Sequence, residues 1–307
     1  MKVESKLILA SKNSVTGVNL YTFVLAYPRV ILPEVNTHRM LSRNTASSRA
    51  IPSKKQRAKV LNDPFVPISI GANQKGMQAG EELTGWRRFV AIQAWKLTRY
   101  AAVAASWVLD KVGAHKQIVN RIVEPWTWTQ QIVTCTDLKN FFKLRNHPDA
   151  EPHFQELARQ MQKQVEYADW ALGIMAQGRN PSLSPLPAGM SYQGTGSLQV
   201  LDPGEWHLPF IESEDSKISY AENTLKKVST ARCARVSYYL PESGKRSVIE
   251  RDVELCDRLS SSGHWSPFEH VATPIAEDIY VGNFRSWNQY RKEYAEEHGG
   301  DRNELGT

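Results

Sequence analysis

The chain has 307 residues, 41% of them hydrophobic and 23% charged, a balance that suits a globular protein with a sizeable core. Its net charge of +6 favours anionic ligands without choosing between small molecules and nucleic acid. Cys135, Cys233 and Cys256 lack the spacing of a disulfide framework or metal site, no apolar stretch approaches the ~20 residues of a membrane span, and the apolar run at 7–10 is too short for a signal peptide; a reducing, cytoplasmic setting is expected.

Residues 3–10 and 19–27 flank a turn at Asn13, Ser14 and Gly17 and predict a β-hairpin. Pro28 suits the first turn of a helix reaching about Leu41, with Pro33 kinking it or shifting its start. The run from Thr37 to Arg49 holds three arginines, a histidine, an asparagine and several hydroxyls between apolar flanks. A polar run anchored in this way predicts the lining of a pocket for phosphate or carboxylate. Lys54, Lys55, Arg57 and Lys59 read as a mobile basic surface segment, and residues 62–79 as a loop.

Helical periodicity extends over 81–112 through Phe89, Ile92, Trp95, Leu97, Ala101, Ala104, Trp107 and Val108, and stops at Gly113. A second helix is expected over 115–123. Residues 126–133 read as an aromatic connector, and a third helix, capped by Thr134 or Thr136, carries Phe141, Phe142 and Leu144 to Arg145. A fourth covers 151–177. Prolines and glycines then break the chain through 178–222, leaving room for one short strand at 206–211. Helices at 221–238 and 247–261, a turn at 263–270, a strand at 271–281, a short helix at 283–294 and a disordered tail from 296 complete the reading.

No Gly-rich dinucleotide turn, P-loop, paired-Cys zinc site or Gly-x-Ser-x-Gly elbow is present. His264 and His270 flank Pro267 without a third metal ligand nearby, so a satisfied histidine at a helix end is the simpler role, and no metal site is assigned. Glu269 needs either a paired donor or a ligand. Arg145, at the end of an apolar stripe, and Arg121 read most simply as snorkelling surface residues. Cys135 reads as a nucleophile at a helix start or as a buried structural thiol.

At these residues the chain resembles the flavin-dependent thymidylate synthases. Their Arg-His-Arg, seven residues, Ser signature is matched by His38-Arg39, seven residues, Ser47, together with Ser42, Asn44 and Arg49; Thr37 stands where the first Arg belongs. Thr22-Phe23 and Pro28 keep the family's upstream spacing. Residues 117–125 resemble the helix that bears a nucleotide-binding Arg, here Arg121, and 134–145 resemble the next helix, which ends in Leu-Arg. Residues 231–238 and 262–270 resemble the family's N-terminal part but lie near the C-terminus, which implies a circular permutation.

The resemblance implies an α+β fold, one domain of long helices packed with a small, mostly antiparallel sheet. Residues 1–177 would form the first part of the core, binding nucleotide and FAD, 178–222 a connection, 223–294 a second FAD-binding part, and 295–307 a tail. It implies methylation of dUMP to dTMP, with FAD as cofactor and methylenetetrahydrofolate and NADPH as co-substrates, in a homotetramer with shared active sites. Arg145 would be catalytic; Glu34, Ser47, Ser48, Arg49, Arg121 and Arg145 would hold substrate; His38, Arg39, Asn44, Asn140, Ser237, His264, Ser266 and Glu269 would hold FAD. Arg285 or Arg291 would replace the cation missing at Thr37. No membrane or nucleic-acid partner is expected. The rival readings are a flavin- and folate-dependent C5 hydroxymethylase and a non-enzymatic basic nucleic-acid-binding protein.

Overall fold

The computed structural model describes residues 2–76, 78–191, 193–194, 196–212, 215, 221–236 and 248–297. The expected hairpin forms as β1 (Glu4–Asn13) and β2 (Asn19–Pro28), paired antiparallel. It is the centre of a five-stranded sheet of order β3-β4-β2-β1-β5, in which β3 is Ser42–Thr45, β4 is Trp128–Cys135 and β5 is Ser197–Leu201. Only β5 runs parallel to its neighbour, β1.

Over β1 and β2 lies the long helix Pro152–Met175. Phe154, Leu157, Ala158, Met161, Val165, Ala168 and Leu172 recur at three- and four-residue intervals and form its buried stripe. They pack on Leu7, Phe23, Leu25 and Val133 of the sheet. Its start is fixed locally: Pro152 sits in the first turn, and Glu151 accepts the Phe154 N–H at 2.9 Å. The fold is thus α+β, with long helices and a small, mostly antiparallel sheet.

Numbered in chain order, the helices are α1 (Leu32–Asn36), α2 (Ser53–Asn62), α3 (Gly85–Lys111), α4 (Lys116–Val119), α5 (Lys139–Arg145), α6 (Pro152–Met175), α7 (Glu222–Arg235), α8 (Ile249–Ser261) and α9 (Tyr290–Glu297). Helices α7 and α8 are joined by charge. The fully buried Asp252 accepts from Arg235 Nε at 2.9 Å and Nη2 at 2.6 Å, and from Arg232 Nε at 3.3 Å. The 3-10 turn Ser266–Glu269 carries this block onto β3.

A buried polar chain joins the same block to the sheet. Gln199 donates to Ser11 Oγ (2.8 Å), which meets His207 Nδ1 (2.6 Å); His207 Nε2 meets Thr22 Oγ1 (2.7 Å). Thr22 meets Thr134 Oγ1 (2.8 Å), and Thr134 meets His270 Nδ1 (2.8 Å). Burial pushes both histidines down to about 3, so each is neutral.

Several expectations are corrected. Of the two roles expected of Pro33 the shifted start holds, but α1 begins only at Leu32, is five residues long and ends at Asn36, well before Leu41. Residues 42–45 of the polar run form an edge strand against β4 instead of a loop. The basic segment forms helix α2: Lys54, Lys55 and Lys59 lie on the surface as expected, but Arg57 faces inward with Gln56 and Val60, its Nη2 2.7 Å from Asp110. The aromatic connector at 126–133 is mostly strand, because from Trp128 on it pairs with β2 on one side and in part with β3 on the other. Thr134 is therefore a strand residue, and α5 begins at Lys139 behind Leu138, with no threonine cap. The expected helix at 115–123 is one turn of α4 followed by a 3-10 turn, Arg121–Trp126, that contains Pro125.

Residues 206–211 form no strand; the strand of the connection is β5, and His207 makes only a single bridge to Ala272. The expected strand at 271–281 is two short pieces, β6 (Ala272–Pro274) and β7 (Tyr280–Val281). Residues 284–289 form β8 (Phe284–Arg285) and β9 (Trp287–Gln289), so the last helix starts only at Tyr290. Ser286 turns between them with φ 62°. The tail expected from 296 lies outside the described residues from 298 on. Helix α3 forms as expected, but Trp86, Phe89, Leu97 and Trp107 on it are exposed rather than buried.

Candidate active site

Two cavities flank the segment 37–49. The first, of about 620 Å³, is lined by residues 37–41 on one side and by Asp137 and α5 on the other. Helix α5 buries Phe141 in the core, which fixes its rotation and sets Arg145 at its last turn. There Arg145 Nε donates to His38 Nε2 at 2.8 Å, and Nη1 lies 3.5 Å from Glu34 Oε2. The guanidinium carbon sits 4.7 Å from the centre of the Phe154 ring. Arg145 is therefore clamped on three sides while its side chain stays 23% exposed to the cavity.

His38 is held in turn. Its ring packs edge-on to Phe141 and Phe154, with centroids 5.0 and 5.7 Å away. Burial, then Arg145 and Arg43, lower it to about 4, so the ring is neutral near pH 7. Since Nε2 accepts from Arg145, the ring proton is on Nδ1. Arg43, which the sequence reading left without a role, holds the backbone beneath: its Nη1 donates to the carbonyls of Val35 (3.3 Å), Asn36 (2.9 Å) and His38 (2.8 Å). Its signal was its place in the polar run, where β3 turns every second side chain back under α1. Arg39 and Asn140 line the same cavity, with Lys139 and Lys143 beside them.

The second cavity, about 480 Å³, lies on the other side of β3. The polar run gives it Asn44, Ser47 and Arg49, and the late turn gives it His264 and Ser266. The two blocks touch directly: Asn44 Nδ2 donates to the Cys233 carbonyl at 3.2 Å, and Ser266 Oγ to Asn44 Oδ1 at 3.5 Å. His115 and Gln117 form a further wall that the sequence reading did not assign.

The remaining assigned residues lie elsewhere. The Ser48 hydroxyl is buried and committed to Glu124 Oε1 at 2.5 Å, and Glu124 also pairs with Arg29 at 3.2 Å. Arg121 is exposed and lines neither cavity. Glu269 is paired with Arg291 at 2.5 Å. Arg285 is held by Asp278, Nε at 2.7 Å and Nη2 at 2.5 Å, so both cations expected to compensate for Thr37 already serve carboxylates. Ser237 lies outside the described residues. His264 and Glu269, expected to share a pocket with His38 and Arg39 within one subunit or across an interface, do not line that cavity within the single chain. The three thiols are buried and burial pushes each up, Cys256 to about 12, so none is a thiolate nucleophile.

A family model described as thymidylate synthase complementing protein matches residues 4–169, just over half of the chain. The chain belongs to that family. The match spans the sheet strands β1 to β4 and both walls of the Arg145 cavity. Among solved structures, the chain is similar to the UMP/dUMP methylase PolB from Streptomyces cacaoi. With 5-Br UMP bound, that enzyme shares 15% identity over 54% of this chain and 89% of its own, at a TM-score of 0.44. With 5-Br dUMP the figures are 14%, 54%, 90% and 0.41. No curated protein matches the chain. Among the described residues no helix is long and apolar enough to cross a membrane, and no group of three or more His, Cys, Asp or Glu side chains is placed to hold a metal ion.

Proposed function

We propose that the protein is an FAD-dependent thymidylate synthase, converting dUMP to dTMP with methylenetetrahydrofolate as carbon donor and NADPH as reductant. One observation carries the reading: in a chain of this family, Arg145 is clamped by Glu34, His38 and Phe154 at the wall of a cavity. Methylation at C5 needs an electron-rich uracil, so negative charge builds on a ring carbonyl. A cation fixed in advance stabilises that charge with no reorganisation at the moment of reaction. The guanidinium fork suits a planar ring edge better than an ammonium does. Neutral His38 orients it without adding a competing charge.

The donor set of the first cavity fits FAD: Arg39, Lys139, Lys143 and the Asn140 amide suit the pyrophosphate of a dinucleotide. When bound, FAD supplies the hydride chemistry. Asn44, His264 and Ser266 stand in the second cavity with Ser47 and Arg49, which suit the phosphate of dUMP. Arg49 and Arg145 share no cavity within one chain, which supports an active site shared between subunits of a homotetramer. The exposed apolar residues of α3 support such an assembly as well.

We also propose that the chain order is permuted relative to the usual one. Packing of the 266–269 turn on β3, and the cavity common to His264 and Ser47, support this. The test of function is mass spectrometry of the product after incubation with dUMP, methylenetetrahydrofolate and NADPH. Thymidylate supports the reading, a hydroxymethyl product supports the rival C5 chemistry, and unchanged dUMP with flavin-loaded protein refutes both.

A further inference from the structure

The second cavity has a wall without a role in the reading above. Among the groups that line it, hydrogen bonding sets which donor or acceptor each one offers. Ser47 Oγ accepts the backbone N–H of Arg49 at 3.3 Å, which leaves its hydroxyl proton free to donate. Arg49 is exposed at the cavity with a guanidinium that only donates. His115 Nδ1 accepts the backbone N–H of Gln117 at 3.3 Å, so in the neutral ring the proton is on Nε2, on the edge turned away from its own backbone.

His264 is set the opposite way. The Ser262 hydroxyl donates to the Arg258 carbonyl at 2.7 Å, so its oxygen accepts from His264 Nδ1 at 2.9 Å. His264 Nε2 is then an acceptor. Among the groups that line the cavity, Ser47, Arg49 and His115 offer donors and His264 offers an acceptor, beside the hydroxyls of Thr45 and Ser266 and the amide of Gln117. Donors beside an acceptor match a phosphate ester whose attached sugar carries a hydroxyl.

We infer that His115 is a phosphate ligand of this cavity, donating from Nε2 to the phosphate of a nucleoside monophosphate held also by Arg49 and Ser47. This rests on the thymidylate synthase reading and deepens it. Arg121, to which the resemblance assigned nucleotide binding, lies further along the same segment and lines neither cavity, whereas His115 lines this one. The imidazole serves two purposes at once: Nδ1 caps the backbone at Gln117, and Nε2 reads the anion.

The two purposes separate in one variant. Asparagine is a good cap and its Oδ1 can accept the Gln117 N–H, but it is too short to replace Nε2. His115→Asn is compared with wild type by calorimetric titration of dUMP in phosphate-free buffer, by thermal melting, and by steady-state kinetics. Loss of one hydrogen bond to a charged group predicts a rise of roughly tenfold or more in Kd and KM for dUMP. The melting temperature and kcat should not change. Unchanged dUMP affinity overturns the proposal, as does lost affinity that comes with a lowered melting temperature, since that marks the histidine as structural only. Failure of the wild-type protein to bind dUMP would instead refute the functional reading on which the proposal rests.

Discussion

Replacing Arg145 by alanine removes three contacts of different weight. The ion pair to Glu34 is 3.5 Å long and its carboxylate is 45% exposed, so its share of stability is about 0–1 kcal/mol. The stack on Phe154 contributes about 0.5–1 kcal/mol more. The hydrogen bond to His38 adds about 0.5–1.5 kcal/mol, so the fold should lose about 1–3.5 kcal/mol, a shift of several degrees in melting temperature for a chain of this size. Turnover should fall far more. Removing one preorganised electrostatic contact to developing charge costs on the order of a hundredfold to a thousandfold in kcat, about 2.7–4 kcal/mol. Arg145→Lys should not restore it, because a lysine cannot reproduce the Nε bond to His38 together with a forked contact to the ring. The same change reports on His38. With the Arg145 cation gone, the imidazole pKa should rise from about 4 but stay below its usual value, because burial, the larger cause, remains. Steady-state kinetics, a melting curve and a histidine NMR titration make the three measurements. Turnover within a few-fold of wild type in the folded variant would refute the electrostatic role of Arg145.

Acid should loosen the seam between the sheet and the C-terminal block. His207 and His270 titrate at about 3 when folded and near 6.5 when unfolded, so the unfolded chain binds more protons between those values. Their stability contribution is complete above about pH 6.5 and falls by about 2.7 kcal/mol per pH unit for the pair below it; urea midpoints that do not move between pH 7 and pH 5 would contradict this. Asp252→Asn should cost about 1–3 kcal/mol, because Arg235 loses its buried carboxylate while Arg232 keeps Asp215 at 2.7 Å; a loss below about 0.5 kcal/mol in urea unfolding would show the pairing to be dispensable. Arg57→Ala should destabilise by about 1–3 kcal/mol through its part-buried bond to Asp110, whereas Lys54→Ala, at an exposed site, should stay within about 0.5 kcal/mol. A mobile basic segment would give no difference between the two.

Much of this protein was written locally. The hairpin β1–β2 is legible because its apolar runs meet at a turn of Asn, Ser and Gly, and α6 is legible because one stripe of apolar residues repeats through its whole length behind a proline and a capping Glu. Those features depend on near neighbours, which is what a sequence displays. The polar run 37–49 was likewise recognisable as pocket lining, and His38, Arg39 and Arg145 do share one cavity. Partners distant in sequence decided the rest. Ser42 to Thr45 looks like loop until β4 offers a ladder of hydrogen bonds, and β4 itself reads as an aromatic connector until strands flank it on both sides. Arg57 reads as surface charge until Asp110 arrives from another helix. Only tertiary structure could divide the polar run between two cavities. Residues 37–41, ahead of β3, line the first cavity, Asn44, Ser47 and Arg49, in and after it, line the second, and Arg43 between them is drawn under α1. The sequence named the chemistry of that run, and the fold of the sheet determined which cavity each residue serves.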